Sequence, residues 1–146
     1  MEKKVDFLVI GTGLAGLSYA LKVANHGKVC LVSKTKIQET NTRYAQGGIA
    51  AVTYKPDTYE KHIKDTLSAG AGLCDEKIVR MVVEEAPGQI DELIHWGANF
   101  DKKESGKFDL AREGGHSEKR ILHHKDNTGE EIQRALSKKV KTHPNI

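Results

Sequence analysis

The chain has 146 residues, 38% of them hydrophobic and 29% charged, with a formal net charge of +3. That is about one domain of globular composition, which excludes a disordered segment. No basic block with interleaved aromatics points to nucleic acid, no apolar run approaches the ~20 residues of a membrane span, and no signal-peptide core opens the chain.

The first element is the apolar run Phe7-Leu8-Val9-Ile10, which leads into Gly11-Thr12-Gly13-Leu14-Ala15-Gly16. A continuous apolar run suits a strand buried on both faces of a parallel sheet. Gly11 permits a sharp turn, Gly13 removes a side chain that would hold a pyrophosphate off, and Gly16 permits tight helix–strand packing. The helix that follows offers unpaired N–H groups and its positive dipole end to an anion. G-x-G-x-x-G between a strand and a helix points to a dinucleotide; the plainer alternative is a glycine-rich turn in an ordinary α/β domain. The spacing of Leu14, Leu17, Leu21 and Ala24 predicts a helix over 14–25, with Gly27 as a left-handed stop and a second strand over 28–33.

An NAD site needs an acidic residue roughly 20 residues past the glycines to hold the ribose hydroxyls. Here the position is filled by Ser33-Lys34-Thr35-Lys36, which leaves either an NADP site or a flavin dinucleotide site using Ser33 and Lys34. Cys30 and Cys74 are far apart in apolar surroundings and are expected as reduced thiols of a cytoplasmic protein.

Asn41-Thr42-Arg43-Tyr44-Ala45-Gln46-Gly47-Gly48 then turns apolar at Ile49. It reads either as a segment running close along a ligand or as a loop entering an edge strand. Three helical stretches follow. Asp57 and Glu60 form a capping pair for a helix along Tyr59, Ile63 and Leu67. Asp75 opens a second helix through Ile78 and Val82, which Pro87 interrupts before Ile90 and Leu93. Thr128 and Glu131 cap a third along Ile132, Ala135, Leu136 and Val140. These apolar stripes are assigned to core packing over the sheet.

Arg112-Glu113-Gly114-Gly115-His116-Ser117 gathers chemically capable groups around paired glycines. Arg112 could fork onto a carboxylate, Glu113 could accept from an ammonium, and His116 or Ser117 could donate. A solvated turn with local ion pairing is the alternative. A metal site from His116, His123 and His124 is disfavoured, because adjacent histidines point to opposite sides of a strand.

The glycine fingerprint, the segment 41–52, the run 65–75 and the 112–117 loop occur in this order, and together they closely resemble the L-aspartate oxidases. That family belongs to the flavoprotein superfamily holding the succinate dehydrogenase and fumarate reductase flavoprotein subunits. The resemblance implies an α/β, Rossmann-like FAD-binding domain, begun by a βαβ unit and covered by helices. It implies FAD along Gly11, Thr12, Gly13, Leu14, Ala15 and Gly16 at the pyrophosphate, with Ser33 and Lys34 near the adenosine ribose. It sets Asn41, Thr42, Arg43, Tyr44, Ala45, Gln46, Gly47 and Gly48 beside the flavin. Asn41 stands where covalent family members carry the linking His, which implies non-covalent FAD.

The family's reaction oxidises L-aspartate to iminoaspartate, passes a hydride to the flavin, and uses oxygen or fumarate to reoxidise it. It feeds NAD synthesis through quinolinate, with quinolinate synthase as pathway partner. By resemblance Glu113 orients aspartate through its ammonium group, with Arg112 and His116 as neighbours. Only two strong central strands are found, and a further strand is expected to begin near His143-Pro144-Asn145-Ile146. Residues 1–146 are therefore expected to be the N-terminal part of an FAD-binding domain, incomplete at its C-terminal end, with the capping domain and the rest of that domain outside the chain. A catalytically silent FAD-binding fragment and an NADP-dependent reductase are the competing readings.

Overall fold

The computed structural model describes residues 2–146. Strand β1 (Phe7–Ile10), helix α1 (Leu14–Val23) and strand β2 (Val29–Val32) form a parallel β-α-β unit, with Phe7 opposite Val29 and Ile10 opposite Val32. Val9 and Val29 pack with Ala20 and Ala24 of α1 and its C-terminal end. The strands are not covered on both faces as expected. Leu8 is 61% exposed, Ile10 82% and Val32 47%, because no described residue covers that face. The alternation of β1 is therefore set by packing on one face alone.

Helix α1 stops two residues earlier than predicted, and Gly27 is not in the left-handed region. Gly27 has a different reason for lacking a side chain. A Cβ there would stand 2.6 Å from the Asp6 carboxylate, which accepts the Lys28 N–H.

The second layer is a three-stranded antiparallel sheet of β3 (Ile49–Ala50), β4 (Leu110–Ala111) and β5 (Ile121–Leu122), with β5 in the middle. Around it stand α2 (Tyr59–Ala69), α3 (Glu76–His95) and α4 (Thr128–Lys141). Leu17 and Leu21 of α1, Ile90 and Leu93 of α3, Leu122 of β5 and Leu136 of α4 meet in the main core.

Four local expectations are corrected here. Helix α3 runs unbroken through Pro87, because Val83, Ile90 and Leu93 on either side bury one stripe. That packing offsets the ~3 kcal/mol a mid-helix proline costs. The same stripe leaves Ile78 and Val82, expected in the core, exposed. At α2 the N-cap is Thr58, whose hydroxyl accepts the Lys61 N–H, while Asp57 is buried and serves elsewhere. At α4 the N-cap is Asn127; Thr128 accepts the His124 N–H, and Glu131 accepts the Asn99 N–H and pairs with Arg134. Asp75 caps α3 as predicted, accepting from the Lys77 and Ile78 N–H groups.

After α4 the chain returns to the parallel unit. The Val29 N–H donates to the Asn145 carbonyl at 2.7 Å, and the Asn145 amide donates to the Ala24 carbonyl.

Candidate cofactor and substrate site

The turn between β1 and α1 is shaped by its glycines. Gly11 has φ +108, a region open to glycine, and its N–H donates to the Val32 carbonyl at 2.8 Å. A Cβ at Gly16 would run into the Gly11 carbonyl oxygen, so glycine is required where helix meets strand. Gly13 is the N-cap of α1 and carries no side chain to satisfy the first amides. One of them, the Leu14 N–H, goes instead to the Thr42 hydroxyl at 3.0 Å. On the other side the Thr12 hydroxyl donates to Ser33 Oγ at 3.3 Å. The structure thus brings together three predicted pieces: the glycine turn, Ser33 at the end of β2, and the start of the 41–48 segment.

Within that segment the side chains divide. Arg43 pairs with Glu39 at 2.9 Å and Glu130 at 3.2 Å, and the Tyr44 hydroxyl donates to Glu39 at 2.7 Å. Hydrogen bonding to the Glu39 carboxylate, with its negative charge, pushes the Tyr44 phenol up from its ordinary value. These two side chains point their polar ends at surface carboxylates. Asn41 and Gln46 are exposed, as is Lys34 beyond β2. A Cβ at Gly48 would collide with the Leu122 carbonyl, so the segment lies directly against β5.

The Arg112–Ser117 loop joins β4 to β5. Its Glu113 carboxylate lies 3.6 Å from where a Gly47 Cβ would stand, so the loop borders the 41–48 segment. Arg112 is exposed. Beneath the loop sits a group of residues that sequence reasoning missed. Arg120, with no exposed surface, forks onto Asp57 through Nε and Nη2, both at 2.8 Å. Its Nη1 donates to Asp65 at 2.6 Å and to His116 Nδ1 at 3.0 Å. Asp65 also accepts the Ser117 N–H and hydroxyl, each at 2.8 Å.

Burial pushes the Asp65 carboxyl up, but hydrogen bonds from Ser117 and Arg120 and the guanidinium charge outweigh it and hold it down at about 2. Hydrogen bonding to Asp57 first, against burial, raises Arg120 above its ordinary value. His62, its ring 5.5 Å from that of His116, is held low by burial first and then by the Arg120 charge. One signal was available for this cluster: an arginine abutting the apolar pair Ile121-Leu122 in a buried strand must find anionic partners. His123 and His124 lie apart from His116, against Asp101. Among the described residues no group of three or more His, Cys, Asp or Glu is placed to hold a metal.

This arrangement is that of a nucleotide-binding β-α-β turn with a polar loop beside it. The chain belongs to the FAD binding domain family, which matches residues 6–146. It is 56% identical over 141 residues to the tobacco (Nicotiana tabacum) protein named L-aspartate oxidase 2-a, chloroplastic, covering 97% of this chain and 22% of that protein. It is 50% identical over 150 residues to an L-aspartate oxidase of Vibrio cholerae, covering 99% of this chain and 28% of that one. Among solved structures, a mutated E. coli quinol fumarate reductase FrdA superimposes with a TM-score of 0.91 at 30% identity, over 97% of this chain and 25% of that chain. The chain therefore spans about a quarter of the length of the relatives it matches.

Between the two cofactors left open above, the family decides for FAD. The residues fit such a group. Nothing lies within 4 Å of where a Gly11 Cβ would stand, and only the Thr42 hydroxyl, at 3.4 Å, approaches that of Gly13. No side chain thus crowds the turn at Gly11, and only the Thr42 hydroxyl stands near it at Gly13, as a bound phosphate there would require.

Proposed function

We propose that this chain is the cofactor-binding portion of an L-aspartate oxidase, which converts L-aspartate to iminoaspartate with oxygen or fumarate as acceptor. The observation that carries the reading is the Glu113 carboxylate 3.6 Å from the Cβ position of Gly47, in a segment the resemblance assigns to the flavin. The names and identities of the tobacco and Vibrio relatives support it. In this reading the iminoaspartate passes to quinolinate synthase, toward NAD. The two free cysteines, Cys30 and Cys74, suit a reducing compartment such as the cytoplasm.

The residues take the following roles. The backbone from Gly11 to Gly16 would receive the FAD pyrophosphate, Ser33 and Lys34 would hold the adenosine ribose, and Asn41 to Gly48 would hold the flavin. When bound, FAD supplies the two-electron acceptor for the oxidation. Glu113 accepts from the substrate ammonium and so helps to orient aspartate. Arg112 is available to a substrate carboxylate, and His116, held by Arg120, stands as its neighbour. Asn41 has an amide in place of a linking imidazole, so FAD is held without a covalent bond; denatured protein should lose the flavin mass in a mass spectrometer.

Glu113→Gln in the full-length protein tests the substrate assignment. Aspartate oxidation should fall roughly 10- to 100-fold in kcat/KM, the value of a charge-assisted hydrogen bond. Fumarate reduction should fall much less, because fumarate has no amine. Equal losses for the two substrates refute the role of Glu113.

A further inference from the structure

Gln133 of α4 is 1% exposed and carries a polar amide through the interior. Its Nε2 donates to the Thr12 carbonyl at 3.0 Å and to the Ile37 carbonyl at 2.8 Å, with Ser137 Oγ at 3.2 Å. Its Oε1 accepts the Thr40 hydroxyl at 2.9 Å. One side chain therefore ties together the glycine turn, the stretch that follows β2, and the entry to the 41–48 segment. Thr40 and Thr12 stand 93 and 121 residues away from it in the chain. A few residues earlier on α4, the Gly129 N–H donates to the Ala45 carbonyl at 3.0 Å, and a Cβ at Gly129 would strike the Thr42 carbonyl. The first two turns of α4 are thus pressed onto the same segments that Gln133 holds.

We propose that Gln133 is a positioning residue for FAD: it fixes the spacing between the pyrophosphate turn and the flavin-side segment before the cofactor arrives. The inference rests on the FAD site described above and is independent of the substrate. Without this amide, the Thr12 and Ile37 carbonyls lose their internal donor, and the glycine turn and the entry to the 41–48 segment are no longer tied to one point. FAD binding must then supply the ordering that Gln133 supplies in advance.

The test is FAD titration of the full-length apoprotein, read by visible absorbance and by the circular dichroism of bound flavin. Gln133→Leu should raise the FAD Kd about tenfold and weaken the flavin dichroism even at saturation. Ile132→Val, a packing change on the same helix, should leave both within about twofold of wild type. Thr40→Val should raise Kd about threefold alone and add almost nothing in the Gln133→Leu background, since the two side chains act as one unit. Wild-type and Gln133→Leu proteins with the same Kd and the same dichroism overturn the inference while leaving the FAD site intact. A wild-type protein that takes up no FAD overturns the site and the inference with it. Should Gln133→Leu fail to fold, Thr40→Val decides: an unchanged Kd overturns the proposal and a raised one supports it.

Discussion

Two glycine-bearing turns flank the 41–48 segment, meeting it at Thr42 and at Gly47, and they are held in opposite ways. The Gly11–Gly16 turn is shaped mainly by its own backbone: a positive φ at Gly11, a close approach at Gly16 and the start of α1. The Arg112–Ser117 loop has little local structure and is pinned from below by charges, Asp65 on Ser117 and Arg120 on His116. Asp57, which holds Arg120 in place, lies 63 residues before it. The difference teaches that one glycine turn can be written in a few consecutive residues, whereas another loop can depend on partners from distant elements.

The sharpest way to break this comparison is Arg120→Met. It leaves Asp57 buried without its countercharge, and the cost should be about 3–5 kcal/mol in urea unfolding. A loss under about 1 kcal/mol would mean the loop has some other anchor. The acid limb gives a smaller effect. Asp65 sits at about 2 in the folded protein against 3.8 ordinarily, so its stabilisation is fully present above pH 3.8 and is lost as pH falls through about 2. Allowing for solvent screening, that is on the order of 1–2 kcal/mol. The loss should be absent from an Asp65→Asn variant whose unfolding is followed over the same range. Smallest is Thr42→Val, which removes the hydroxyl from the Leu14 N–H. It should cost about 0.5–1 kcal/mol in a thermal melt while leaving the ion cluster untouched. A larger loss than that from Arg120→Met would invert the comparison.

The same contrast explains what could be read in advance. The β-α-β unit, the turn at Gly11, the close approach at Gly16 and the Asp75 cap follow from neighbouring residues, and the structure bears them out. Asp57 looks like a cap because Glu60 stands three residues on; only its burial against Arg120 shows otherwise. Pro87 reads as a break because propensity is local, while the buried stripe Val83, Ile90 and Leu93 that carries the helix past it is tertiary. Leu8 and Ile10 look like doubly buried strand residues, yet side-chain chemistry cannot say which face a neighbour covers. Gln133 gives no sequence signal at all, since a glutamine in an amphipathic helix is ordinary until its four partners are seen.

The contact between Arg120 Nη1 and His116 Nδ1 has a consequence for the proton inventory of the loop. A guanidinium can only give hydrogens, so Nδ1 must take one, and the imidazole's own hydrogen is left on Nε2. In that tautomer both ring nitrogens are already committed, one as a lone pair facing arginine and the other as a donor. His116 is thereby set to offer a hydrogen: its Nε2–H is what it can present to an oxygen that approaches the ring.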